Sequence, residues 1–473
     1  MNSTETTEQQ LQHAGTTAVQ ALSRYWETVG RAVRDMHDMR SLPGDFTPGA
    51  ELPPLDEAMR RFLEASEAAV VELADYRGTP MRLLDLRRNP GTRTTKTFGS
   101  LLMVARAVAY IRRTSEPVTL LTPSSGNKAT ALRDAVLRAH RAGLADRDQL
   151  RIVSVVPERS RSKLWDSPLS SDPELRRRNP VVTYSGTDPS GVKELARGFY
   201  DEYADMLRTR YGSALWYTLD IGNYQAADTV RALMEEELMP APPAGGRVHA
   251  HAVSSAYGLL GHHYGMSFTG GGDERMPSRY FLVQHLNTPD MVLDLLHGDP
   301  SRERMPRYAM DPVTGLFHQS MDPHFPRTTH HPDEVVDPTF YTRAPVTSRT
   351  MTPLIREHGG GGIVVSLHEC LVRYPQIREM LRPAGVELPH DPRGLREWSM
   401  VMVFTGVMEA MDRGLLGRDA GHEVLVHGSG SYADTDFTPI PAQRLQQADS
   451  PDALLPLVGR AMGPASSHRG QRP

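Results

Sequence analysis

Lys96 lies in the stretch Asn89–Ser100, NPGTRTTKTFGS, flanked by the three threonines Thr94, Thr95 and Thr97 at the entry to an apolar helix. An amine beside a helix N-terminus has its pKa depressed by the positive end of the helix dipole. A lysine of that kind is a usable nucleophile and Schiff-base partner, a role arginine cannot take. The residue type matters in this chain, because only four of its 53 basic residues are lysines: Lys96, Lys128, Lys163 and Lys193. Taken alone, the same residues also read as a solvated surface lysine. A second stretch, LLTPSSGNKATALRDAVLRAH (120–140), runs from an apolar strand through Ser124-Ser125-Gly126-Asn127 into an amphipathic helix. Gly126 permits unusual φ and close ligand approach. The N–H groups that open the helix suit a carboxylate or phosphate, while Ser125 or Asn127 capping the helix is the bland alternative.

These stretches sit on a regular alternation. Strands read at Met81–Leu86, Pro117–Pro123, Leu150–Pro157, from Ala214, at Arg247–Ser255 and at Arg279–Leu286 are separated by helical patterns. The order predicts an α/β fold: two mainly parallel, three-layer domains with helices on both faces and ligands at the carboxyl ends of the strands. Residues 1–75 read as a helical extension, with Leu11, Val19, Leu22, Trp26, Val29, Val33 and Met36 near helical spacing. Residues 76–440 read as the catalytic core, with a smaller domain at about 100–200 and an insertion or long loop at about 295–345. Residues 441–473 read as a partly disordered tail.

The two stretches, taken in order, resemble the fold type II pyridoxal-phosphate (PLP) enzymes, the tryptophan-synthase-β, cysteine-synthase and threonine-synthase family. The resemblance rests on Gly78-Thr79-Pro80-Met81, Asn89-Pro90-Gly91-Thr92-Arg93-Thr94-Thr95-Lys96, Ser125-Gly126-Asn127-Lys128-Ala129 and Val156-Pro157-Glu158. With gaps it extends to VLVHGSGSYAD near residue 430, and TPLIREHGGGGIVVSLHE (352–369) is similar to the threonine-synthase region before a helix. The resemblance implies that Lys96 holds PLP and later moves protons at the substrate α-carbon. It implies that Asn127 bonds the ring 3′-oxygen, and that Thr95 and the Ser124, Ser125, Gly126 loop hold the substrate carboxylate. It implies β- or γ-elimination or replacement on an amino acid of the O-activated serine or homoserine type, and a homodimer.

The pattern also departs from that family. In place of a phosphate-binding glycine run the chain has HAVSSAYGLLGHHYG, where Ser254, Ser255 and Gly258 are the candidate phosphate donors. His427 stands where a hydroxyl normally meets the pyridine nitrogen, with Ser429 as the substitute if the register shifts. Gly359–Gly362 reads as a flexible turn. The departures suggest specialised metabolism, and they keep open a second reading, a catalytically inactive relative that acts as a binding protein.

His249, His251, His262, His263 and the histidines of the insertion have no Cys or carboxylate partner at motif spacing, so they read as solvated and no metal is expected. RSRSK (159–163) reads as a solvated helix start. A net charge of −4 speaks against general nucleic-acid binding. No run is apolar enough to span a bilayer, MNSTETTEQQ has no signal-peptide pattern, and Cys370 is the single cysteine, so a cytoplasmic location is expected. A nucleotide-binding α/β protein is disfavoured because no Gly-x-Gly-x-x-Gly follows the first strand.

Overall fold

The computed structural model describes residues 16–463 except 41–44, 189, 220–221, 271–276, 341 and 417–420. Two open sheets carry the chain. The larger has seven strands in the order β1-β2-β3-β14-β8-β9-β13. These are β1 (Thr16–Gln20), β2 (Glu67–Tyr76), β3 (Thr79–Asp85), β8 (Arg247–Ala252), β9 (Arg279–His285), β13 (Gly360–Val365) and β14 (Glu423–Gly428). From β3 to β13 every neighbour is parallel; β1 and β2 add antiparallel strands at one edge. The smaller sheet is parallel throughout, in the order β15-β6-β5-β4-β7. Its strands are β4 (Val118–Pro123), β5 (Leu150–Pro157), β6 (Val181–Tyr184), β7 (Ala214–Tyr217) and β15 (Gln446–Gln447). Every residue of β4 and β5 is buried, as expected of strands covered on both faces. The two parallel sheets are the α/β architecture predicted above.

Helix α1 (Trp26–Arg40) packs on the helix Gly222–Ala227, which also packs on α3 (Lys96–Thr114); α2 (Glu57–Leu63) and α3 both pack on α4 (Asn127–Arg141). Trp26, Val29 and Phe62 share one core with Phe98, Leu102, Leu132 and Val136, and the Trp26 indole N–H donates to the Pro53 carbonyl at 3.0 Å. Because α3 is packed on nearly every side, its N-terminus, and Lys96 with it, is held firmly.

Three expectations are corrected. Residues 1–75 are not helices alone: β1 lies before α1, and β2 begins after α2. The run EAAVVELADY suits either element by pattern; pairing with β3 decides it. Residues 441–463 are no loose tail. They supply β15 and the helix Pro451–Met462, whose Leu454, Leu457 and Val458 pack against Val192 and Phe199 of the smaller domain. Residues 1–15, read above for a signal and for the start of a helix, and 464–473, the end of the tail, lie outside the described residues. The insertion is largely irregular around three two-residue strands, β10 (Ala309–Met310), β11 (Phe317–His318) and β12 (Thr328–Thr329).

The third correction concerns the glycine run. Gly360, Gly361 and Gly362 are the first residues of β13, in parallel register with Tyr280, Phe281 and Leu282. Gly360 has φ +124°, and a Cβ there would lie 2.0 Å from the Tyr280 carbonyl oxygen. Glycine therefore fixes a close strand approach rather than a flexible turn. Gly360→Ala is expected to cost about 3 kcal/mol or more of stability, combining overpacking with a disfavoured φ; the midpoint of denaturant unfolding reads it.

Candidate functional site

The carboxyl ends of four strands of the two sheets come together around Lys96 and Asn127. β3 leads through the Asn89–Thr95 loop to Lys96, the first residue of α3. β4 leads through Ser124–Gly126 to Asn127, the first residue of α4. β8 leads through residues 253–256 to α5 (Tyr257–Gly265), and β14 ends at His427 and Gly428, followed by Ser429–Tyr432. Convergence of loops at strand carboxyl ends is where open α/β sheets bind ligands.

Lys96 is partly exposed, with Nζ over the Tyr224 ring at 5.1 Å. Tyr224 is seated against Gly99 of α3, where a Cβ would come within 2.5 Å of the ring. Burial lowers the Lys96 pKa, outweighing the negative field of Asp228, and nearby Arg231 adds to the shift. The amine therefore becomes neutral below the ordinary lysine range. The rate at which a carbonyl reagent is trapped at Lys96 is expected to rise with pH through that lowered value; a rise only at the ordinary lysine value would contradict it. The Asn89–Thr95 loop is anchored from both sides: the Asn89 amide donates to Asp134 at 2.9 Å, and the Thr92 and Thr97 hydroxyls meet at 2.6 Å. Thr95 sits half-buried at the helix start.

The Ser124–Asn127 turn is built as read, but its side chains are partly spent. Gly126 has φ +131°. The Ser124 hydroxyl is buried and accepts from the Gly126 and Ala129 N–H groups at 3.0 and 2.9 Å. It is thus a cap inside the turn rather than a group offered to substrate; Ser125 remains half-buried. Asn127 donates to Glu397 at 2.7 Å and accepts from the Tyr432 hydroxyl at 2.8 Å. An amide nitrogen carries two hydrogens, so one remains for a ligand.

Behind Asn127 lies a buried group that the sequence gives no sign of. Lys163 Nζ donates to Asp337 at 2.8 Å and to Glu397 at 3.4 Å, and all three side chains are at most 6% exposed. Asp337 also accepts from Thr339 and from the Trp398 N–H. Burial works against each charge. At Lys163 the two carboxylates outweigh it and hold the ammonium above its ordinary range. At Asp337 Lys163 outweighs it and lowers the carboxyl. At Glu397 burial and the Asp337 charge win, and the pKa is raised. The reading of RSRSK as solvated thus holds for Arg159, Arg161 and Ser162 and fails at the buried Ser160 and at Lys163, to which the insertion brings Asp337.

His249, His262 and His427 form a buried chain rather than solvated side chains, whereas His318, His330 and His331 of the insertion are exposed, as read. His427 is fully buried. Its Nδ1 meets Arg231 Nη1 at 3.2 Å and its Nε2 meets His249 Nδ1 at 3.1 Å. Arginine only donates, so His427 Nδ1 accepts, and Nε2 carries the proton toward His249. With burial and the Arg231 charge lowering its pKa, the ring is neutral. Both its nitrogens are committed, so His427 does not face a ligand, contrary to the expectation for the pyridine nitrogen. Ser429, two residues on, is half-buried. His262 bonds Glu235 at 2.6 Å and Tyr280 at 2.9 Å. Ligand atoms of Glu235, His249 and His262 lie within 4.8 Å of one another, an arrangement with the donor types of a divalent-metal site; Glu235 is also paired with Arg247.

At the turn between β8 and α5, Ser254 donates to Thr342 of the insertion at 3.2 Å, which commits its hydroxyl. Ser255 is half-buried, and Ala256 holds φ +52°. Gly258 faces Arg231 and His251: a Cβ on it would lie 3.1 Å from Arg231 Nη2 and 3.2 Å from His251 Nε2.

The model of one protein family, described as a family of unknown function (DUF6002), matches residues 17–462. No curated protein matches the sequence. Among solved structures, PLP-bound threonine synthase from Brucella melitensis is 11% identical, with 94% of this chain and 91% of that one covered and a TM-score of 0.47. A PLP-dependent aspartate racemase is 15% identical, with 88% and 98% covered and a TM-score of 0.47. A fungal L-serine ammonia-lyase from Rhizomucor miehei is 12% identical, with 75% and 89% covered and a TM-score of 0.45.

Proposed function

The chain belongs to that family of unknown function, and we propose that it is a PLP-dependent enzyme catalysing β- or γ-elimination or replacement on an amino-acid substrate. The placement of Lys96 carries this reading: an amine with a lowered pKa, at the start of a clamped helix, where four strand ends converge. The surrounding residues fit the cofactor. Gly258, which has no Cβ to crowd Arg231 Nη2 and His251 Nε2, lies at the N-terminus of α5, and Asn127 keeps one amide hydrogen uncommitted.

When bound, the cofactor supplies the sink for the electron pair left at the substrate α-carbon. The protein does the rest. Lys96 holds the cofactor through its amine nitrogen and moves the proton at the substrate Cα. Tyr224 fixes where Nζ swings. Ser124 takes two N–H groups of the α4 turn, and the turn's remaining N–H groups bind the substrate carboxylate with help from the helix dipole. Glu397 and Tyr432 hold the Asn127 amide in one orientation.

The similarity of 352–369 to the threonine-synthase region supports an O-activated serine or homoserine as substrate. The departures at residues 253–258 and at His427 support a role in specialised metabolism. A cytoplasmic homodimer completes the proposal. The test is α-proton exchange in D2O across a set of amino acids and their O-activated derivatives, with PLP present. Exchange that depends on Lys96 is expected. Cofactor binding without exchange on any of them would favour the second reading, an inactive relative, for which the missing glycine run speaks.

A further inference from the structure

Resting on that reading, we propose that Arg231 is the anchor of the cofactor phosphate and takes over work that a glycine-rich loop would otherwise do. Arg231 comes from the helix Val230–Leu238, ahead of β8 in the chain, and is 1% exposed. Hydrogen bonds to Asp228 at 2.8 Å and His427 at 3.2 Å use Nε and Nη1. Nη2 makes no hydrogen bond among the described residues. This nitrogen is directed at the β8–α5 turn, 3.1 Å from where a side chain on Gly258 would begin. Glycine at 258 is therefore what gives the guanidinium room.

The turn supplies the complementary donors. The backbone N–H groups of Ser255, Ala256 and Gly258 make no hydrogen bond among the described residues, and they open a nine-residue helix. A phosphate carrying nearly two negative charges gains from such donors and from one fixed guanidinium. The clamp on Arg231 makes the anchor rigid. Asp228 balances its charge, and neutral His427 accepts from it while being held in turn by His249. The buried histidines thereby position Arg231 without touching the ligand.

The same arginine lies close enough to Lys96 to lower its pKa, so an action on the cofactor ring instead of the phosphate has to be separated by experiment. Binding of PLP and of pyridoxal, which lacks the phosphate, is measured by visible absorbance on wild type and on Arg231→Gln. Wild type is expected to prefer PLP, and Arg231→Gln to weaken PLP binding about 10- to 100-fold, the range for a hydrogen bond to a charged group, while pyridoxal binding is unchanged. Equal weakening of both would place Arg231 at the ring and overturn the proposal. An unaltered preference for PLP would also overturn it, while leaving the PLP reading intact. Absence of PLP binding to wild type would defeat both. If Arg231→Gln does not fold, two further measurements decide: inorganic phosphate at millimolar concentration should compete with PLP and not with pyridoxal on wild type, and Gly258→Ala should weaken PLP binding selectively. Indifference to phosphate together with equal effects of Gly258→Ala on the two cofactors would overturn the proposal.

Discussion

Lys96→Ala is expected to abolish the visible absorbance that PLP gives on binding and to reduce turnover by about 10³-fold or more, since one residue both holds the cofactor and moves the substrate proton. The fold should survive. A lowered lysine pKa means that the folded state disfavours the charged form, so below the shifted pKa the charge costs stability, and removing it raises stability rather than lowering it. Thermal unfolding of the apoprotein at pH 7 checks this: an equal or higher Tm is expected for Lys96→Ala. Retained turnover, or a marked fall in Tm, would assign Lys96 a packing role instead.

Lys163→Met carries the second large effect, on stability. Lys163 is the ammonium between Asp337 and Glu397, all buried. Its removal leaves two carboxylates facing each other out of water, and breaking a buried pair in this way costs about 3–5 kcal/mol. The sign with pH follows from the separate shifts. Asp337, lowered in the fold, contributes stability present above its unfolded pKa and lost as pH falls through its folded one. Glu397, raised in the fold, contributes stability present below its unfolded pKa and lost as pH rises through its folded one. Without Lys163 one of the two carboxyls takes up a proton readily on acidification. The deficit relative to wild type should therefore be largest at pH 7 and shrink toward pH 5. Denaturant unfolding at the two pH values measures it; an equal deficit at both would mean that lost packing, not charge, accounts for the cost. The same substitution should disturb Asn127, which donates to Glu397.

What is legible in the sequence is local. Lys96 with its threonines, and Ser124–Asn127 between a strand and a helix, are contiguous motifs whose chemistry and backbone geometry are set within a dozen residues, and both lie beyond strand carboxyl ends. The alternation of strands and helices is enough for two parallel sheets. Long-range partnerships are not legible. Asp337 meets Lys163 across 174 residues, and Glu397 meets Asn127 across 270; no spacing rule connects them, and Asp337 sits in a stretch with no periodicity. Lys163 reads as solvated because a run of basic and hydroxyl residues looks exposed unless its partner is known. The histidines mislead for the same reason: His249, His262 and His427 become neighbours only when β8, α5 and β14 come together. Arg231 leaves no signal beyond an arginine in a helix, and Gly258 looks like a lone glycine rather than room made for a guanidinium. Residues 67–76 show the opposite failure, a local pattern compatible with a helix that sheet pairing overrides.

The central claim is that Lys96 carries PLP, and the most direct measurement is to add PLP to the purified protein, reduce with borohydride, digest with trypsin, and locate the modified peptide by mass spectrometry. A single pyridoxyl group on Lys96 is expected, in the peptide that begins at Thr94, with Lys128, Lys163 and Lys193 unmodified. A protein that stays colourless and unmodified, or one modified at another lysine while Lys96 is untouched, would contradict it.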